Sequence, residues 1–312
     1  MRSAAGLNAR KFLKPASFAL FRACDRLGVH ILPKHYYTPI PDYAWLAANR
    51  DVWTPRASLA GVCWDLDQQL EWLATTCRPY YAEVAGLGVY QEITRSQAGP
   101  GFGPIESQVL HCFVRAAKPR RIIEIGSGVS TLVMLHAAAL NEQGAAPPAE
   151  ITCIEPYPSE VLKRLHGIRR IQQPAQLVGA ELFAQLQPGD LLFIDSSHAV
   201  KTGSDVPHVY LNIIPSLAPG VFVHIHDVFL PYLYPRDVLS SYFGWQETAL
   251  LLALLVNNEH LAVRACLSAL GYDRTEQLRA ILPDYAPEAS IEGLPAPGAR
   301  GDFPTSTWLQ VQ

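Results

Sequence analysis

Residues 195–205 place an acid, two hydroxyls and an imidazole directly after an apolar run. The run 191–194 ends at Asp195, and His198 follows three residues later. An imidazole titrates near neutral pH, so His198 could take a proton from a nucleophile, while Asp195 could hold a cationic group, a metal or a hydroxyl. The alternative is a polar turn, in which Lys201 and Asp205 order the loop and cap the next helix.

Carboxylates also close three other short apolar runs. Glu124 lies in "RIIEI", Glu155 closes "ITCIE" and Asp227 closes "GVFVHIHD". Strands that are apolar throughout are typical of a parallel sheet covered on both faces, and segments such as "STLVMLHAAAL" between them predict crossover helices. The sequence therefore predicts an α/β fold with a doubly wound, Rossmann-like sheet. Such a sheet brings these acids to one edge, where it binds ligands.

The segment "EIGSGVST", 124–131, predicts a glycine-rich turn between the first strand and its helix. Gly126 allows the tight turn, and Gly128 lets a ligand approach the backbone closely. Thr131 stands where the dinucleotide fingerprint would have its third glycine. That departure disfavours a nicotinamide-dependent dehydrogenase.

These motifs together resemble the class I S-adenosylmethionine-dependent methyltransferases. The segment from Asp195 to Tyr234 resembles a bacterial small-molecule subgroup of these enzymes, one that is similar to the macrocin-type O-methyltransferases. The resemblance covers roughly 105–265 and returns in the last predicted strand, "TSTWLQV". It implies that Glu155 binds both ribose hydroxyls of the cofactor, since a carboxylate can accept two hydrogen bonds from a vicinal diol. The implied cofactor-binding residues are Glu124, Gly126, Gly128, Ser130, Thr131, Glu155 and Asp195.

In that subgroup, the strand-ending acid and the histidine three residues later supply a metal ligand and a general base. The resemblance thus implies Asp195 and His198 as catalytic residues. His226 and Asp227 occupy the place of an acidic pair, so Asp195, His226 and Asp227 are the predicted ligands of a divalent metal. Such a set would favour a transition metal over magnesium. The histidine at position 226 is equally consistent with loss of the metal. His224, two residues earlier on the strand, is expected to be a core histidine.

The acceptor side of the pocket is expected from aromatic segments. Tyr36 and Tyr37 in "HYYTPIPD", Tyr232 in "HDVFLPYLYP", and His226 are predicted to surround the substrate. The predicted function is methylation of a small molecule on oxygen, with His198 as the general base. Two alternatives stay open: a cyclase or lyase in which the cofactor's own amino acid part is the nucleophile, and a non-catalytic cofactor-binding protein.

The predicted domain organisation has two parts. A helical, aromatic cap covers 1–100, and a cofactor-binding domain covers 101–312, with an insertion over 266–303 before the last strand. The Gly/Pro-rich segment "SQAGPGFGP" marks the boundary.

Composition excludes several classes of protein. A net charge of −3 over 312 residues gives no basic face for nucleic acid. The six cysteines form no CxxC pair, which indicates reduced residues and a cytoplasmic location. The apolar stretches are too short to span a membrane. The expected partner is a small molecule, and a homo-oligomer is left open.

Overall fold

The computed structural model describes residues 17–32, 34, 36–99, 101–241, 244–286, 290–291, 294–295 and 304–312. The chain divides into two compact units, 1–50 and 51–312. In the first unit, the described residues form a helix over 17–25 (α1) and a second one over Tyr43–Ala48 (α2). Asp42 caps α2 by accepting a hydrogen bond from the Trp45 backbone N–H. None of the described residues of this unit is buried.

The second unit is built on a seven-stranded sheet. In chain order its strands are β1 Arg121–Ile125, β2 Glu150–Ile154, β3 Ile168–Ile171, β4 Leu191–Ile194, β5 Phe222–Ile225, β6 Leu261–Cys266 and β9 Thr307–Val311. Their spatial order is β3-β2-β1-β4-β5-β9-β6. β1 to β5 pair in parallel, and β9 runs antiparallel to both of its neighbours. This confirms the predicted Rossmann-like α/β fold. Ser290–Ile291 (β7) and Leu294–Pro295 (β8) form a separate two-stranded pair.

β4 is apolar and buried at every position because both faces of the sheet are covered at its centre. Successive side chains of a strand point to opposite faces. One apolar cluster accordingly takes Ile123, Ile125, Leu192, Ile194, Val223 and Ile225. The other takes the alternating residues Ile122, Leu191 and Phe193.

A polar side chain caps the first long α-helix of the second unit. Asp65 caps α3 by accepting from the backbone N–H groups of Asp67 and Gln68. The larger helices are α3 Leu66–Cys77, α4 Gly88–Arg95, α5 Pro104–Ala117, α6 Val129–Gln143 and α10 Glu247–Leu255. The shorter ones are α7 Glu160–Arg164, α8 Ala180–Phe183, α9 Asp205–His208, α11 Leu267–Asp273 and α12 Thr275–Ile281.

The predicted boundary near residue 100 stays a prediction. By compactness, residues 51–99 group with the sheet. Part of the predicted cap (1–16, 33, 35 and 100) and part of the predicted insertion (287–289, 292–293 and 296–303) lie outside the described residues. In the part of the chain that is described, no helix combines the length and apolar character needed to cross a membrane.

Candidate functional site

The turn after β1 brings backbone, not side chains, to the edge of the sheet. Gly126 has φ +81°, in the left-handed region that favours glycine, and its N–H donates to the Ile154 carbonyl at 3.0 Å. A Cβ at this position would overlap the carbonyl oxygen of Asp195. Only glycine therefore lets the ends of β1, β2 and β4 meet this closely. Gly99 lies against Gly128, so the loop before α5 passes over the turn.

Glu124 stabilises this turn from its buried side. Its fully buried carboxylate accepts hydrogen bonds from the hydroxyls of Ser130 and Thr131, both at 2.6 Å, and from Cys153 Sγ at 3.2 Å. Burial raises the pKa of Glu124 to about 7, against the lowering effect of these donors. The three predicted cofactor residues Glu124, Ser130 and Thr131 thus contact one another at the base of the turn. Their direct contact with a cofactor stays a prediction.

A cavity of about 390 Å³ opens at the carboxyl ends of β1, β2 and β4. The Glu155 carboxylate is held there by two backbone donors, Tyr157 N–H at 2.6 Å and Ser127 N–H at 3.3 Å. The lining residues are Ile125, Gly126, Glu155, Pro156, Tyr157, Pro174, Ala175, Gln176, Asp195, Ser196, Ser197 and Lys201–Asp205. This first cavity brings three predicted cofactor residues together: Gly126, Glu155 and Asp195.

A second cavity of about 300 Å³ lies beyond the ends of β5 and β9. It is lined by Tyr90, Gly101, Phe102, Gly103, Glu106, His226, Asp227 and Thr305. Glu106 accepts a hydrogen bond from the Thr305 N–H at 2.8 Å, and the Thr305 hydroxyl donates to Asp227 at 3.1 Å. The acids of this second cavity are therefore tied to the segment that leads into β9.

His198 lies between the two cavities. Its Nε2 is 3.4 Å from Asp195 Oδ1, an atom of a first-cavity residue, and 3.5 Å from Asp227 Oδ2, an atom of a second-cavity residue. Its Nδ1 is 2.7 Å from Glu247 Oε2, and the imidazole is only 7% exposed. The three strand-end residues Asp195, His198 and Asp227 thus form one cluster, which we call the acid–histidine cluster.

The protonation state of His198 differs from that of a free general base. Burial acts to lower its pKa, but hydrogen bonds to Asp195 and Glu247 outweigh burial and raise the pKa to about 11. In this arrangement the imidazole keeps its proton at neutral pH. The sequence interpretation, which gave His198 a pKa near working pH, missed this effect because it did not include Glu247. In the sequence, Glu247 is distinguished only as an acid at the start of an apolar helical segment, and nothing local connects it to His198.

His226 lines the second cavity, where the sequence predicts it to face the substrate, and its Nε2 is 3.7 Å from Asp227 Oδ1, but its ring nitrogens have other partners. Its Nε2 is 2.8 Å from the Gly101 carbonyl and its Nδ1 is 3.4 Å from Ser306 Oγ. Among the described residues, the group whose ligand atoms could share a metal ion is Asp195, His198 and Asp227, all within 4.8 Å of one another. The structure therefore brings together two of the three predicted ligands, with His198 in place of His226.

The remaining predicted residues lie outside this cluster. His224 is a fully buried core histidine, as expected; its ring stacks on Phe193 at 4.2 Å, and burial lowers its pKa well below the usual value. Tyr232 packs against Tyr272 at 5.0 Å between ring centroids and lines neither cavity. Tyr36 and Tyr37 are exposed residues of the first unit, and their contribution to the acceptor pocket stays a prediction.

Comparisons with known proteins agree with this fold. Residues 123–228, from β1 to just beyond β5, match the family model of a methyltransferase domain. An uncharacterised protein of Archaeoglobus fulgidus is 27% identical over 197 residues, which are 56% of this chain and 83% of that protein.

Two solved structures are more distant. One, from Staphylococcus aureus and assigned as a caffeoyl-CoA O-methyltransferase, has 14% identity and a TM-score of 0.39, over 64% of this chain and 93% of that one. The other, the mitomycin 7-O-methyltransferase, has 14% identity and a TM-score of 0.29, over 78% of this chain and 68% of that one. Similarities with identities and TM-scores this low carry no information about the acceptor.

The sheet order, the glycine turn and the family match define the class of this protein. It carries a class I methyltransferase domain and is an enzyme, an S-adenosyl-L-methionine-dependent methyltransferase.

Proposed function

We propose that the chain transfers the methyl group of S-adenosyl-L-methionine to an oxygen atom of a small molecule at the acid–histidine cluster. One observation carries the proposal: Asp195 lines the first cavity, Asp227 lines the second, and His198 Nε2 lies within 3.5 Å of both. Methyl transfer is an in-line displacement, so donor and acceptor must meet at one point from which water is excluded. The cluster is the point at which two such cavities would meet.

The first cavity suits the cofactor. Backbone N–H groups of Ser127 and Tyr157 orient the Glu155 carboxylate, and its remaining lone pairs can accept from two ribose hydroxyls. Gly126 and Asp195 border the same space. In this proposal the adenosine lies along the first cavity, and the methyl group points to the acid–histidine cluster.

Replacing Glu155 with alanine should weaken binding of S-adenosylhomocysteine by about 2 kcal/mol, or about 30-fold, because hydrogen bonds to a charged acceptor are lost. Calorimetry measures the affinity directly. Glu150→Ala is the matched control, since Glu150 lies at the opposite end of the same strand and its side chain is 77% exposed. Equal affinities for the two variants would rule out the ribose assignment.

The second cavity suits a small acceptor. Its volume of about 300 Å³ is at the lower end for small-molecule sites, and its lining combines Tyr90 and Phe102 with the carboxylates of Glu106 and Asp227. An oxygen nucleophile placed near Asp227 would be beside His198. We propose that this cavity holds the part of the acceptor that carries the hydroxyl.

Proton removal involves the cluster as a whole. For His198 to act alone as the predicted general base it would have to be neutral, and Asp195 and Glu247 keep it protonated. A cation held between Asp195 and Asp227 would offset their negative charge. The donor set fits a divalent metal, which would be held by Asp195, His198 and Asp227 and would lower the pKa of an acceptor hydroxyl.

The product distinguishes methyl transfer from the alternative reaction of the same cofactor. Purified protein, given labelled cofactor and a panel of phenols, catechols and sugars, should form S-adenosylhomocysteine in step with a methyl ether. Formation of methylthioadenosine without any methylated acceptor would instead identify a cyclase or lyase. The two products separate by chromatography and mass.

A further inference from the structure

We propose that the first unit, residues 1–50, binds an anionic lipid surface through its cationic residues and its exposed apolar side chains. The partner is a bilayer with anionic headgroups, and the unit lies on that surface without crossing it. The proposal is independent of methyl transfer, because lipid binding needs neither the cofactor nor the acceptor.

The net charge of the chain is divided unevenly between the two units. Residues 1–50 contain eight Lys and Arg, two Asp and no Glu, which is a net charge of +6. Since the whole chain has a net charge of −3, residues 51–312 have a net charge of −9. An anionic lipid surface attracts such a cationic segment, and each Lys or Arg near the surface raises the affinity by about fivefold. The cations are Arg2, Arg10, Lys11, Lys14, Arg22, Arg26, Lys34 and Arg50.

Two of these cations lie together at the end of α1. Arg22 and Arg26 are exposed, and the Arg26 N–H donates to the Arg22 carbonyl at 3.4 Å. One helical turn therefore separates them, which places both side chains on the same side of the chain. The carboxylate of Asp25, between them in sequence, is 3.0 Å from His30 Nε2. The two guanidinium groups thus form an exposed cationic pair.

The same unit exposes apolar side chains. Of the fourteen large apolar residues that are exposed in the described part of the chain, nine lie between positions 18 and 45. Phe18 is 59% exposed and Leu20 is 55% exposed, both on α1, and Leu27 just after α1 is 82% exposed. A concentration of this kind marks an interaction surface. The nine are Phe18, Leu20, Leu27, Val29, Ile31, Tyr36, Tyr37, Ile40 and Trp45.

Aliphatic side chains next to cations favour lipid over the other possible partners. A nucleic acid would use the cations and could stack on the aromatic rings, but it offers nothing to Leu20, Leu27 or Val29. A symmetric contact with a second copy would bring two charges of +6 against each other. At a membrane surface, aliphatic chains enter the acyl boundary, Lys and Arg stay at the headgroups, and Tyr and Trp prefer the boundary itself.

Co-sedimentation with vesicles tests the lipid partner. Untagged full-length protein is mixed with vesicles of phosphatidylcholine, or of phosphatidylcholine and phosphatidylglycerol in equal parts. The mixed vesicles should be bound about tenfold more tightly or better, and added salt should weaken that binding because it screens the charges. Equal binding to both kinds of vesicle, or binding to neither, overturns the proposal.

The contribution of charge is tested on the exposed cationic pair. Arg22→Gln combined with Arg26→Gln should bind the mixed vesicles about 20-fold more weakly, at about fivefold for each lost charge. Arg164→Gln combined with Arg169→Gln is the matched control, since it removes two exposed arginines of the second unit. The control should bind like the wild type. Equal weakening in the two double variants would mean that the first unit is not the binding surface.

The contribution of the apolar side chains is tested on α1. Phe18→Ser combined with Leu20→Ser should weaken binding to the mixed vesicles by about tenfold or more, because apolar surface no longer leaves water. Leu211→Ser is the control, since Leu211 is 59% exposed on the second unit, and it should bind like the wild type. Unchanged binding in the α1 variant contradicts insertion into the acyl boundary.

The other partners give different results. A dimer in sedimentation equilibrium that dissociates in the α1 variant, without binding to mixed vesicles, would assign the surface to a second copy. Binding to duplex DNA as tight as binding to mixed vesicles would also overturn the proposal. Circular dichroism and the affinity for S-adenosylhomocysteine should be those of the wild type in every variant, since none of the substituted residues lines the first cavity. A failure of the proposed O-methylation therefore leaves the lipid result interpretable.

Discussion

Replacing His198 with glutamine is expected to lower kcat by about 10²- to 10⁴-fold, the usual contribution of a positioned group in proton transfer. The imidazole lies within 3.5 Å of both acids, and it lies where the two cavities approach each other. Cofactor affinity should change little, because Gly126, Glu155 and Asp195 line the first cavity and His198 does not. Steady-state formation of S-adenosylhomocysteine gives kcat, and calorimetry gives the affinity.

His166→Gln is the matched control for this variant, since His166 is exposed in the loop between α7 and β3. It should retain wild-type kcat. Wild-type kcat in His198→Gln as well would make His198 a structural residue of its turn.

Added metal separates two roles for His198. If His198 is a metal ligand, a high concentration of Mn²⁺ should partly restore kcat in His198→Gln, because mass action compensates for weaker binding. If it were only a proton acceptor, added metal would leave kcat at the reduced value. The two roles thus differ in a measurement that a loss of folding would not reproduce.

Replacing Gly126 with alanine is expected to destabilise the protein by on the order of 3 kcal/mol or more, because strain at a special φ combines with a backbone overlap. The new Cβ would overlap the Asp195 carbonyl, and relieving the overlap would move the end of β4 away from β1. Cofactor binding should also be lost, because the first cavity is formed by the ends of these strands. Urea unfolding gives the change in the free energy of unfolding, and calorimetry gives the binding.

Gly189→Ala is the control that isolates backbone strain. Gly189 has φ +90°, and a Cβ there would meet no atom within 4 Å. The Gly189→Ala substitution should lower the free energy of unfolding by about 1–2 kcal/mol, the cost of a left-handed conformation without any overlap. If both variants lost the same stability, the close approach between Gly126 and Asp195 would not exist in solution.

Local sequence pattern was sufficient to predict most of the sheet and its ligand edge. Wholly apolar runs such as 191–194 indicate strands covered on both faces, because every position must be buried. The glycine turn and the strand-ending acids followed from the same pattern, so Gly126, Glu155 and Asp195 could be named together, and they line one cavity. β3 and β6 were not predicted; β3, "IRRI", is an edge strand whose two arginines are not buried.

Only the tertiary structure decided how the histidines are used. His198 meets Glu247 49 residues away, and His226 meets Gly101 125 residues away. Hydrophobic periodicity reports burial and local conformation, but it carries no information about which distant group approaches an imidazole nitrogen. That approach sets the pKa of His198 and determines which nitrogen faces Asp195 and Asp227. The sequence alone therefore determined which edge of the sheet carries the chemistry, while long-range packing decided which of its histidines can take part.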